Sequence, residues 1–588
     1  MKNILIPIIV TFTFSLQSIA QKTGTDFGDE EITITKDRKI VLPPANRILE
    51  KIPSQSVVTI PDRKFNYNFN DYKPEGVKES KFTPNIINIE SSKKQLEPSF
   101  SNLFRIGVGN YGRIFGETSL NSNPENPVRF GLHYLHNSSS IGPKDDFLSS
   151  SLKTGGSVYG NYNTDFFKLS SEVGVQHDRI NFYGYEDALK PFIESTLTKR
   201  EQKIERDRRI GQRMNRYNFE IGFENNIADS KFDYKLKSNV HLFNSKQYSL
   251  AAAAPNSKIG GFFPFIREID WLSHLDAYFP IIDRNLVAKI EGEASILNIA
   301  NDYDLLKTKN YSRNLYKIFP SFTYQNETIS ATIGFRGVSQ YEGLTATSYS
   351  KGYPVANFTY KTASGLSFFT GLDGDFNRNT LWNLTEEMPF LYNNTEVFNT
   401  EKPLEVYLGS KGEIINGITY NLRGSFNQFK NLFFFNNNAS IYEKFDLIYE
   451  KEKSNVYTFN GEINYPISEN FKTGLNLTYN YYDLKTLEKP FHRPAFIGKW
   501  TNTAYFSDKL LATTTLFFRG NSFAKNPIST DIVKISSIFD FNIELDYLFG
   551  KQFSGFVKLN NIFNQNYEQY LFYQKQGFNF LCGINYIF

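Results

Sequence analysis

The chain has 588 residues, of which 16% are aromatic, with 56 Phe and 36 Tyr but only 3 Trp, and a formal net charge of +4. With 65 basic residues against 61 acidic ones, there is no basic surplus of the kind a nucleic-acid reader gathers on one face, and the lone Cys582 excludes an intramolecular disulfide. Mean hydropathy is -0.41, and beyond the N-terminus no stretch approaches the roughly 20 apolar residues of a spanning helix.

The first 20 residues read as a signal peptide. Lys2 supplies the positive start, Ile4–Leu16 the apolar stretch and Ser18-Ile19-Ala20 the small residues before a cut. Export with cleavage near Ala20 is expected, leaving Gln21 as the mature start. Residues 21–98 are rich in Lys, Glu, Pro and Ser, with Pro43, Pro44, Pro53, Pro61, Pro74 and Pro84 separating short β-prone patches. They read as an extended periplasmic segment, ordered only where a partner holds it.

From residue 99 to 588 the pattern is uniform, with segments of 9–16 residues alternating between apolar and polar positions. In Phe539–Tyr547 the odd positions are apolar or aromatic and the even ones acidic or amide; Tyr217–Glu224 and Gly474–Tyr481 repeat the scheme. High aromatic content with low mean hydropathy fits a wall with one face in lipid and the other toward a polar lumen. Connections alternate in length. Tight ones are Asn225–Ser230, Ile281–Asn285, Gln325–Thr328, Thr362–Gly365, Ser468–Asn470, Ser507–Lys509 and Gly550–Gln552; long ones are Ser138–Ser150, Gly184–Gln212, Asn244–Gly261, Thr380–Lys402 and Asn436–Lys453. Short turns on one rim and long loops on the other predict an all-β fold, a large antiparallel transmembrane β-barrel of about 22 strands.

The last strand is the most specific element. In Phe578–Phe588 the even positions, including Ile584, Tyr586 and Phe588, all suit lipid. A terminal Phe closing an aromatic strand is the address that the outer-membrane assembly machinery reads. The run Phe556–Tyr567 followed by Gly577–Phe588 resembles the C-terminus of TonB-dependent receptors, with Asn561, Phe563 and Tyr567 at the positions of that family's motif. The resemblance implies a 22-stranded barrel, a cell-outer-membrane location and a transport or receptor role. It departs from the family ahead of the barrel, where about 78 residues stand in place of a folded plug and the glycine-rich plug signatures are missing. Asp29–Thr35, with Ile32, Thr33, Ile34 and Thr35 at its centre, looks like a TonB box. The whole is similar to a plug-less receptor-like barrel of Bacteroidota, an assignment the Asn-, Lys-, Phe- and Ile-rich composition suits.

Catalytic and metal chemistry are not expected, nor is a cofactor. His133 and His136 lie three apart on one strand, so their side chains face opposite ways, and His177, His241, His274 and His492 fall on separate segments. Cys582 shares the lipid-facing parity of Phe580 and Ile584, and no Gly-x-Ser-x-Gly occurs. The basic-acidic run Lys199–Arg213 falls in a long loop, suited to solvent or to anionic lipopolysaccharide. Lys289, Glu291, Glu293, Asp540, Glu544 and Asp546 are placed in the lumen, and Leu391–Phe398 and Asn431–Phe435 are gate or ligand-contact candidates. A barrel of this width encloses more space than its wall side chains fill, so water, inward loops, the N-terminal segment or a partner must occupy it. Two functions are open: a conduit or receptor for a polar solute or polymer, and a non-enzymatic subunit of an outer-membrane machine or surface complex that docks a periplasmic partner through residues 21–98. For either, the partners are outer-membrane lipid and lipopolysaccharide, the barrel assembly machinery and a periplasmic protein or TonB, with no nucleic acid.

Overall fold

The structure is a computed structural model; it describes residues 102–588 except 124–125, 145–148, 185–210, 228–229, 248–264, 283–284, 305–306, 416 and 440. The signal peptide, the 21–98 segment with Ile32–Thr35, and most of Lys199–Arg213 lie outside the described residues.

Strands follow the predicted alternation from Leu103 onward. In chain order they are Leu103–Gly109 (β1), Arg113–Asn121 (β2), Val128–Ser139 (β3), Ser151–Asn163 (β4), Phe167–Asn181 (β5), Gly211–Asn225 (β6), Asp233–Gln247 (β7), Phe265–Ile282 (β8) and Leu286–Asp304 (β9). Then come Lys307–Gln325 (β10), Ile329–Glu342 (β11), Thr347–Lys361 (β12), Ser367–Asn377 (β13), the helix Leu381–Glu387 (α1), Thr400–Glu413 (β14) and Thr419–Lys430 (β15). Leu432–Asn437 (β16) and Phe445–Glu450 (β17) form a separate hairpin before Ser454–Ser468 (β18), Phe471–Asp483 (β19), Phe496–Ser507 (β20) and Leu510–Arg519 (β21). Ser522–Lys525 (β22) pairs with Ile532–Ile535 (β23), ahead of Ile538–Leu548 (β24) and Phe553–Asn560 (β25). Glu568–Tyr570 (β26) and Tyr573–Gln574 (β27) precede the closing strand Asn579–Ile587 (β28).

Leaving the three small hairpins aside, each strand pairs antiparallel with the next, giving a 22-stranded sheet. Closure is complete: β1 pairs with β28 from Leu103↔Ile587 to Gly109↔Leu581, and Asn102 and Phe588 exchange backbone hydrogen bonds at the seam. Closing the sheet removes the edge, whose unpaired N–H and C=O groups could not be tolerated in lipid.

Which face meets lipid follows from alternation. On β6, Tyr217, Phe219 and Ile221 are exposed while Met214 and Arg216 are 1% exposed. On β28, Phe580 and Ile584 are exposed while Leu581, Asn585 and Ile587 are buried. An apolar belt this large would not persist in water, and a bilayer covers it. Among the described residues no helix is long and apolar enough to cross a membrane.

All seven tight connections lie on one rim, together with the chain ends at Asn102 and Phe588. The strand ends that flank the long ones lie on the opposite rim, which is the extracellular one in such barrels. Several boundaries differ from the sequence reading: Asn244–Gln247 still belong to β7 and Gly211–Gln212 already to β6. Thr400–Lys402 already belongs to β14 because those residues continue the ladder to β13 beyond a bulge, and the loop after β15 starts at Asn431, whose φ of +53° turns the chain into β16.

Candidate functional site

Among the described residues, the connections after β13, β15, β19 and β25 fold together into a cap that packs on the wall's inward side chains. The segment 378–399 is its hub. α1 begins at the N-cap Thr380, whose hydroxyl accepts from the N–H of Asn383 at 3.1 Å. Its first two N–H groups donate to a wall carboxylate: Glu268 on β8 accepts from Leu381 at 2.8 Å and Trp382 at 3.1 Å. Helix starts leave such donors without partners, and the Glu268 carboxyl oxygens satisfy two of them.

Other wall residues grip the same segment. Arg313 on β10 donates to the carbonyls of Val397 and Asn379, and Asp270 on β8 is paired with Arg378. Arg216 on β6 donates to the hydroxyl of Thr385 at 2.7 Å. Gln247 on β7 accepts from the N–H of Asn393 at 3.0 Å, and the amide of Asn399 donates to Gln340 on β11 at 3.1 Å. His241 of β7 stacks on Trp382 with ring centroids 4.8 Å apart.

Three other connections, after β15, β19 and β25, close on this hub. Phe445 and Phe390 bridge through their backbones, and Leu447 donates its N–H to the hydroxyl of Thr395 at 2.9 Å. Arg493, from the loop between β19 and β20, is ion-paired with Glu387, whose carbonyl accepts the hydroxyl of Tyr570 at 2.7 Å. His492 knits three loops: Nδ1 donates to the carbonyl of Phe435 at 2.9 Å and Nε2 accepts from the N–H of Leu571 at 3.3 Å. Its carbonyl accepts from Arg519 at 3.2 Å. Burial pushes its imidazole down to about 3, opposed by the bond to Phe435 and aided by Arg519 and Arg493, so it is neutral here.

Beneath these bonds lies one apolar core. Leu381, Leu384, Met388, Leu391 and Val397 of the hub join Phe433, Phe435, Phe445 and Tyr573 against Met214, Phe243, Ile266, Leu297 and Ile299 of the wall. A second cluster sets Leu432, Phe434 and Phe491 on Phe429 and Val456. The gate candidates Leu391–Phe398 and Asn431–Phe435 are therefore core pieces of the cap. The hydrophobic run Leu432-Phe433-Phe434-Phe435 signalled this, since four successive apolar residues cannot alternate.

Below the cap the wall is charged and paired across strands. Lys317 on β10 sits 3.4 Å from Glu293 and 2.8 Å from Asp375; Arg105 on β1 and Lys558 on β25 each lie 2.8 Å from Glu544. Arg423 reaches Glu405 at 2.6 Å and Lys237 reaches Glu220 at 2.7 Å. The lumen placements of Lys289, Glu291, Glu293, Asp540, Glu544 and Asp546 agree with this parity.

The other singled-out residues are placed as follows. Ile584 and Phe588 are exposed on the lipid side, and Tyr586 stacks between Phe553 and Phe588 at 4.6 and 5.0 Å. Asn561 is buried at φ +48°, its amide donating to the carbonyls of Gln565 and Gln576. Phe563 lies outside on Phe539 and Phe541, while Tyr567 turns inward and donates to Asp540 at 2.8 Å. The three motif residues thus form one corner that sends the last loop into the cap. His133 lies 3.6 Å from Glu117, whereas His136 contacts Ser138. Among the described residues no cluster of His, Cys, Asp or Glu could hold a metal.

The architecture matches solved structures. The copper transporter OprC superposes with a TM-score of 0.62 at 11% identity, covering 83% of this chain and 80% of that one. The fold is that of the TonB-dependent receptor barrels. The FrpB iron transporter from Neisseria meningitidis gives 0.63 at 10% identity over 84% of this chain and 82% of its own. The siderophore receptor PirA from Acinetobacter baumannii gives 0.60 at 11%, covering 83% and 80%. These neighbours are named as transporters and receptors, not enzymes. By sequence, no protein-family model and no curated protein matches the chain. This barrel differs in sequence from its structural neighbours almost throughout, so the likeness is one of fold.

Proposed function

We propose that the chain is an outer-membrane conduit or receptor for a polar solute or polymer, closed at rest by its own loops and opened by a partner. The observation that carries this reading is the pairing of a charged lumen wall with a folded cap gripped by that wall at Glu268, Asp270 and Arg313. A wall of charges has no use in a barrel that is only a scaffold, and a cap held by hydrogen bonds is one that can be released.

In this reading residues 1–20 are removed near Ala20, 21–98 form an extended periplasmic segment in place of a folded plug, and 99–588 form the barrel of a Bacteroidota protein. Ile32–Thr35 would add as a strand to the edge of a periplasmic partner's sheet, TonB or another. Phe588, Tyr586 and Ile584 would be read by the assembly machinery, and the outer loops would meet lipopolysaccharide.

A second reading, a subunit of an outer-membrane machine, is favoured by the same cap, because a barrel sealed by its own loops need carry nothing. Swelling of proteoliposomes in a size series of uncharged polar solutes, with and without the co-purifying partner, separates the two. Swelling that requires the partner supports the conduit. A stoichiometric partner lost on deleting residues 21–98, with no swelling in any state, favours the subunit.

A further inference from the structure

Resting on the conduit reading, we infer that the solute is uncharged or zwitterionic, because the ion-paired groups of the wall below the cap balance one another in charge. Steering of ions needs one sign to dominate. A lumen lined by a single sign raises the local counter-ion concentration ~10- to 1,000-fold, and charge-selective pores accordingly carry rings of one sign.

Here the signs are interleaved around the barrel. Lys317 faces two carboxylates, Glu293 and Asp375. Glu544 faces two cations, Arg105 and Lys558, and Arg105 also lies 3.6 Å from Asp546. Glu405 likewise takes Arg423 and Lys402, and Arg336 takes Asp373. Toward the other side, Lys237 pairs with Glu220 and Lys235 lies 3.2 Å from Glu224. These separations are far below the Debye length of about 8 Å at physiological salt, and the surplus carboxylate beside Lys317 is matched by the surplus cation beside Glu405, so the named charges sum to zero.

Such a wall still binds. Paired guanidinium and carboxylate groups keep donors and acceptors for hydroxyl or amide groups, and rings stand beside them. Arg423 lies 4.3 Å over Tyr407, whose hydroxyl donates to Asn357 at 2.6 Å, and Arg336 lies 5.1 Å over Phe319. A neutral polar molecule finds partners at no cost in charge desolvation, whereas an ion gains nothing over water.

The test is the K⁺/Cl⁻ permeability ratio, from the reversal potential across a planar bilayer in a KCl gradient. The full chain is measured as the neutral cap-core double variant Leu384→Asn/Phe435→Asn, which leaves the wall charges intact; heat-modifiable migration confirms that the barrel has folded. A ratio close to one is expected, with a shift toward K⁺ on adding Lys558→Met, which leaves Glu544 with one cation fewer. A preference of tenfold or more for either ion before that change, or no shift after it, overturns the inference while leaving the conduit intact. Silence from the cap variant overturns the conduit reading, and this inference with it.

Discussion

The carboxylate of Glu268, near the start of β8, accepts the N–H of Leu381 at 2.8 Å, so a barrel strand and a helix 113 positions further along form one capped unit. The barrel and its cap are thereby a single folded object, and loosening that contact should free the cap without opening the wall.

Replacing Glu268 by Ala removes the acceptor of two helix N–H groups, each hydrogen bond worth about 0.5–1.5 kcal/mol. Hydrogen exchange at residues 381–387 should accelerate, while exchange in the β1–β28 seam stays slow. Equal acceleration in both would mean that cap and wall unfold together.

Phe435 and Phe580 give a contrast of place. Phe435 is 1% exposed in the cap core and Phe580 faces lipid. Phe435→Ala should cost about 3–5 kcal/mol of cap stability, seen as protease cleavage within 431–453, whereas Phe580→Ala should leave that cleavage unchanged.

Acid should loosen the cap through His492. Its folded value, near 3, lies below the ordinary 6.5, so the unfolded cap binds the extra proton and stability falls as pH drops from about 6.5 toward 3. Protection factors in 484–495, corrected for intrinsic exchange, should fall over that window and stay flat in His492→Asn.

Lys444 works in the opposite range. Its side chain is fully buried, 4.9 Å over Phe182 and 5.4 Å over Tyr392, and its Nζ has no hydrogen-bond partner among the described residues. Burial lowers it from 10.5 to about 8, with Glu443 opposing. Cap stability should therefore rise between pH 8 and 10.5, and Lys444→Met should add about 3 kcal/mol at pH 7 and abolish the rise. A Lys444→Met cap less stable at pH 7 would show that the ring contacts outweigh the desolvation.

The wall was legible because its signal is local. Phe539–Tyr547 and Phe578–Phe588 alternate every second residue, and that period alone assigns each side chain to lipid or lumen. Tight turns such as Ser468–Asn470 and Ser507–Lys509 fix where strands reverse. The cap has no comparable period. α1 is 7 residues long, too short for an amphipathic repeat, and its partners Glu268, Arg216 and Arg493 lie roughly a hundred or more positions away. What the loops disclosed was composition: Leu432–Phe435 is too apolar to be a solvated loop. Which wall residues it would meet depends on closure of the barrel, and that is a property of all 22 strands together.

The most direct test of the central claim, that the loops close the barrel, is single-channel conductance of the full chain beside the Leu384→Asn/Phe435→Asn variant. The intact protein should be silent or open only in brief events, and the variant should carry large, long-lived current. Steady large current from the intact protein, or a silent variant whose cap exchanges freely, would contradict it.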